Sequence, residues 1–110
     1  MAEKKPAPLM TLSAMEAAPE LAAGAYAGSL WFTILVNYLE RQFPGAGAFL
    51  EKAAEVLPWN KVWRAIQTAL AGYTAGQDFL TILKEVFDEW VTLDETDNGT
   101  VIRMMAKPEA

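Results

Sequence analysis

The residue types on which most enzymes depend are missing from this chain. Its 110 residues include no histidine and no cysteine. This removes the commonest general base near neutral pH, the commonest metal ligand, and any thiolate nucleophile or disulfide. The hydroxyls of Ser13 and Ser29 have no imidazole to activate them, and neither begins an S-x-x-K spacing. What remains for acid–base or metal chemistry is carboxylate, and it is concentrated. From Gly76 to Asp97 stand Asp78, Glu85, Asp88, Glu89, Asp94, Glu95 and Asp97, against Lys84 alone, in a chain of net charge −5. Such a segment repels phosphate, so nucleic acid is not expected as a partner and a basic protein surface is the better match. Asp78, Glu85 and Glu89 would project to similar sides of one helix, but no Glu-x-x-His pattern completes a carboxylate metal centre. The expectation is therefore no catalytic residue, no metal and no cofactor. These acids form either a solvated face or a docking face for a basic partner.

Two local patterns resemble ligand loops. Phe87–Asp88, followed by Asp94-Glu-Thr-Asp-Asn-Gly-Thr-Val, resembles the end of an EF-hand entering helix and the first eight positions of its calcium loop. Asp94 would be position 1, Asn98 position 5 and Gly99 the sharp turn. Thr96 and Met105 stand where two carboxylate ligands belong, so calcium binding is not expected. Pro44-Gly45-Ala46-Gly47 has the glycines of a phosphate cradle, but no Lys-Ser/Thr follows it. It reads as a turn between helices.

The elements that would position these residues follow from the apolar pattern. With 53% hydrophobic residues, four Trp and five Phe, the chain can bury a core, and its length suits one domain. Residues 1–12, with Lys4, Lys5, Pro6 and Pro8, read as a flexible arm. No uninterrupted apolar stretch follows the lysines before Glu16 and Pro19, so a secretory signal is not expected. Ser13 and Glu16 have capping-box spacing. From Leu21 to Leu39 runs LAAGAYAGSLWFTILVNYL, nineteen residues without a charge, predicting a helix over 19–42 that is apolar nearly all round. Apolar residues at helical spacing predict further helices over 46–57, 59–73 and 76–93. Val91–Leu93 and Val101–Met104 around Asn98–Gly99 would suit a small hairpin. Because an isolated two-stranded hairpin is marginal in water, the expectation for 98–110 is a short extended or flexible tail.

Together these readings predict an all-α protein: a small four-helix bundle with a central apolar helix and flexible termini, the helical domain covering 13–97. Three one-sided helices need a surface to cover, and a wholly apolar helix supplies it. The alternative is a membrane span over 21–39, for which Gly24-x-x-x-Gly28 would be a small-residue packing motif; a subunit-interface helix is a third reading. In a bundle, Gly24 and Gly28 would let a neighbouring helix approach closely, within the chain or across a dimer. Most of the aromatic residues fall on helical stripes and read as core, while Trp59 and Trp90, near helix ends, are the expected interface anchors. The function expected is a non-catalytic protein–protein interaction module, a small adaptor, subunit or assembly factor that self-associates in the cytoplasm. A small single-span membrane protein with a soluble helical tail is the alternative.

Overall fold

The computed structural model describes residues 21–98 and 101–108. The expected arm 1–12 and the Ser13–Glu16 capping box lie outside the described residues. Among those described are four helices, α1 (Leu30–Gln42), α2 (Ala46–Val56), α3 (Trp59–Thr74) and α4 (Phe79–Phe87), followed by strands β1 (Val91–Glu95) and β2 (Val101–Ala106).

The uncharged run beginning at Leu21 is not one helix. It forms irregular turns as far as Ser29, whose hydroxyl accepts the Phe32 N–H at 3.3 Å and starts α1. The reason lies in what the turns reach. The last turn of a helix leaves carbonyls without intrahelical partners. Here the Gly24 N–H donates to the Ala54 carbonyl at 2.7 Å, and the Tyr26 hydroxyl donates to the Leu57 carbonyl at 2.9 Å. The Trp59 N–H, at the start of α3, donates to the Leu21 carbonyl at 2.8 Å. Segment 21–29 thus closes the end of α2 and the beginning of α3, and Gly24 takes φ +81° to do so. A helix through it would forfeit these bonds and carry two interior glycines at about 1 kcal/mol each.

Two expectations fall with that helix. Gly24 and Gly28 are not helix-packing positions, since neither lies in a helix and a Cβ on either would meet nothing within 4 Å. The 21–39 run does not form one spanning helix: α1 has 13 residues, about 20 Å, against a hydrocarbon core of about 30 Å. Among the described residues no helix is long and apolar enough to cross a membrane.

The remaining helices are set by local signals. Pro44 and Gly45 turn the chain after α1, with Gly45 at φ +100°. The Glu40 carboxylate reaches back from α1 to accept the N–H groups of Gly45 at 3.0 Å and Gly47 at 2.7 Å, which caps α2. Pro58 stands at the N-cap of α3, and Asp78 caps α4 by accepting the Thr81 N–H at 2.9 Å.

The fold is mixed α/β rather than all-α, because the chain after α4 returns as an antiparallel hairpin. Thr92 pairs with Met105, Leu93 with Met104 and Asp94 with Arg103, and a bulge follows at Glu95. Helix α4 stops at Phe87, well short of residue 93, and the expected tail contributes β2. The hairpin is stable because it is not isolated. It packs on α2, burying Val91 and Met104. Lys107 ties it down, its N–H donating to the Trp90 carbonyl and its Nζ to the Asp88 carbonyl, both at 2.8 Å. The centre of the molecule is α2, on which α1, α3 and β2 pack, while α4 packs on α3. Leu50, Ala53, Trp59, Val62, Ile66 and Leu83 are wholly buried there.

Candidate functional site

Helix α1 carries more apolar surface than its packing uses. Phe32, Val36 and Leu39 are buried, and a helix packed on one neighbour needs a stripe a little over 100° wide. At about 100° per residue, the apolar sector of α1 runs through roughly 240° from Leu30 to Val36. The surplus is in solvent: Leu30 is 70% exposed, Ile34 44% and Tyr38 56%. Trp31 and Leu35 lie half-buried between this row and the core face. Thr33 and Asn37 border the row on its polar side, and Arg41 closes it at the C-terminal end; all three are exposed.

Trp31 is held rigidly at the edge of this surface. Its ring lies 4.9 Å from that of Trp59 at 84°, 6.0 Å from Phe32 at 81°, and 6.2 Å from Tyr26 at 17°. Tyr26, Phe32 and Trp59 are themselves buried, and burial pushes the Tyr26 phenol above its ordinary range. A half-exposed indole backed by fixed rings loses little freedom on contact, which is the character of an interface anchor. The sequence reading missed Trp31, Leu30, Ile34 and Tyr38. The available signal is that α1 is apolar over more of its circumference than one contact needs; that pattern reads as burial on most sides, a membrane span or a subunit interface, whereas α1 is buried on one side.

The anchors predicted from sequence sit elsewhere. Trp59, expected near the surface, is fully buried and stacks on Trp63 at 5.5 Å and 21°. Its place at the start of α3 is covered by segment 21–29, and so it is core. Trp90 is half-buried, edge-on to Phe87 at 6.2 Å, with the Lys61 Nζ 5.5 Å from its ring centroid.

The acids divide. Asp78 is occupied as a cap, accepting from both the Thr81 hydroxyl at 2.8 Å and the Thr81 N–H. Those bonds, the hydroxyl's first, hold its carboxyl below the usual carboxylate range. Glu85 joins Asp78 on a shallow depression of about 320 Å³ that Gln77, Thr81 and Ile82 also line. Glu89 lies past the end of α4, in the turn before β1, and is not part of that lining. Asp94 is on a strand opposite Arg103, 3.6 Å from its guanidinium. The segment that resembles a calcium loop is therefore a hairpin entered from β1, with Met105 in β2. Both members of that ion pair are about two-thirds exposed, so it adds little to stability.

A larger cavity of about 410 Å³ lies between the start of α2, α4 and the hairpin. Phe49, Leu80 and Val101 make its walls apolar, and Lys84 on its wall is 3.7 Å from Glu95. Among the described residues, no three or more acidic side chains are placed to hold a metal ion together. What the surface of α1 can do is bind by apolar burial, with a rigid indole at its edge.

Comparison of the chain with protein-family models, with curated proteins and with solved structures found no match.

Proposed function

We propose that this protein is a protein–protein interaction module, a small adaptor, subunit or assembly factor acting in the cytoplasm, and that α1 is its contact surface. The observation that carries the reading is the row Leu30, Ile34 and Tyr38, exposed at 70%, 44% and 56% on a helix already packed on its other side. Surplus apolar surface of this kind, rimmed by Thr33, Asn37 and Arg41, marks contact sites. The neighbouring Trp31 supplies an anchor of the type that dominates binding energy. The exposed acids Glu85 and Glu89 give a second, weaker argument for a partner with basic patches.

A photo-crosslinking side chain in place of Ile34, in the full chain, tests this. Irradiation in native extract should give discrete protein adducts from position 34 and none from Glu51, an exposed position on α2. Equal labelling from the two positions, or no adduct from position 34, would remove the support for the reading.

A further inference from the structure

We infer that the occupant of the α1 surface is a second copy of this chain, held in an antiparallel helix pair whose two-fold axis passes by Ile34. This rests on the reading of α1 as a contact surface and names what it contacts.

Three observations point to self-pairing. The first is spacing. Leu30 and Tyr38 each lie four residues from Ile34, on either side, forming one i±4 ridge. An isologous contact must be self-complementary about its axis. Two such ridges packed antiparallel place each Leu30 against the Tyr38 of the other copy, small against large, with the Ile34 pair at the centre. Ridges of this type cross at about −50°, which confines contact to about three turns, the length of this row.

The second is charge. The molecule carries a net charge of −5, so two copies repel except where local charge is absent. Between Leu30 and Leu39, α1 has no ionisable side chain apart from Tyr38, whereas acids gather at Asp78, Glu85, Asp88 and Glu89 in and beside α4 and at Asp94, Glu95 and Asp97 in the hairpin. A basic partner would find no counter-charge on the α1 row; a second copy meets no like charge there. Arg41 also chooses the direction. In an antiparallel pair the two Arg41 residues lie about 20 Å apart along the axes, well beyond a Debye length of about 8 Å. A parallel pair would bring them together.

The third is area. The exposed fractions of Leu30, Ile34 and Tyr38 amount to on the order of 350 Å², the size of the largest apolar patch on a typical monomer. Doubled across the axis, with Trp31, Leu35 and the polar rim added, the contact approaches the roughly 1,000 Å² at which specific interfaces begin. A reversible dimer in the micromolar range follows, not an obligate one.

Sedimentation equilibrium of the full chain from about 1 to 500 μM tests the pairing. The expected result is a reversible monomer–dimer equilibrium in that micromolar range. Ile34→Asp should weaken it at least tenfold, while far-UV circular dichroism and the melting temperature stay near wild type because the side chain is almost half exposed. Thr68→Asp on the exposed side of α3, a charge-matched control, should leave it unchanged. Ile34→Lys alone should also dissociate the dimer, and mixing it with Ile34→Asp should restore association, because only a pairing through this axis sets position 34 against itself. A monomer throughout the range, a dimer indifferent to Ile34→Asp, or no restoration on mixing overturns the inference. A strict monomer whose position 34 crosslinks to a different protein overturns the second copy but leaves the contact surface standing; absence of any adduct there removes both.

Discussion

Removing one oxygen from Tyr26 should measure how firmly the turns at 21–29 are built into the fold. Tyr26 is 1% exposed, and its hydroxyl donates to the Leu57 carbonyl at 2.9 Å across 31 residues of sequence. Tyr26→Phe removes that donor and leaves the ring in place against Phe32 at 5.1 Å and Trp59 at 5.4 Å. A neutral hydrogen bond contributes about 0.5–1.5 kcal/mol net, and a buried carbonyl left without its partner costs about 1–3 kcal/mol. The expected loss is about 1–2 kcal/mol, with a fall in Tm of roughly 5–10 °C for a domain of this size. Tyr26→Ala, which also empties the ring's site, should cost about 3–5 kcal/mol. Urea denaturation followed by tryptophan fluorescence suits the measurement, because Trp31 and Trp59 lie within 6.2 Å and 5.4 Å of the Tyr26 ring. The denaturant slope should not change. Alkaline pH gives a second reading. Burial raises the folded phenol above its ordinary value of 10.0, so above pH 10 the unfolded chain holds fewer protons than the folded one and stability falls as pH rises. Tyr26→Phe should abolish that component of the fall. If Tyr26→Phe unfolds at the wild-type urea concentration and shows the wild-type alkaline slope, the hydroxyl is not buried on Leu57, and 21–29 is not docked as described.

Three further outcomes follow from particular groups. Backbone bonds from Gly45 and then Gly47 hold the Glu40 carboxyl below its ordinary value of 4.5. Its contribution is therefore present above pH 4.5 and lost as pH falls below it, so the stability gap between wild type and Glu40→Gln should shrink on acidification, as measured by urea denaturation at stepped pH. Gly45→Ala should cost about 1–3 kcal/mol, and more than Gly76→Ala. Both glycines have positive φ, but a Cβ at Gly45 would come within 3.2 Å of Leu80 Cδ2 while one at Gly76 meets nothing within 4 Å; thermal melts of the two variants make the comparison. The buried indole Nε1 of Trp63 has no hydrogen-bond partner among the described residues. Trp63→Phe should thus cost about 1 kcal/mol or less, since relief of an unsatisfied donor offsets lost ring contact; chemical denaturation reads it, and a loss above about 3 kcal/mol would show that the N–H is bonded.

How much was legible varied by element. Periodicity and proline stops place α2 and α3 within one residue of their observed ends, because each helix is bounded by neighbours in sequence and declares its buried face in its own pattern. Asp78 illustrates the reverse. Its spacing with Glu85 and Glu89 suggests an acidic face, yet its carboxylate is spent on the first turn of α4. The α4 stripe continues as far as Trp90 in sequence, but the chain leaves the helix at Phe87, because Val91 is needed in the hairpin core.

The amino-acid sequence by itself determined that the chain has no imidazole and no thiol, the positions of its two central helices, and the acidic balance of its C-terminal half. These are properties of composition and of contacts within a few residues. Tertiary structure alone decided that 21–29 would be turns, that Val101–Ala106 would form a strand, and that one side of α1 would be left in water. Each of those outcomes depends on groups far apart in the chain: the Leu57 carbonyl that receives Tyr26, the face of α2 that buries Met104, and the finite width of the neighbours on which α1 packs. A segment's backbone takes whichever partners lower its free energy most, and for these three segments the partners are distant in sequence.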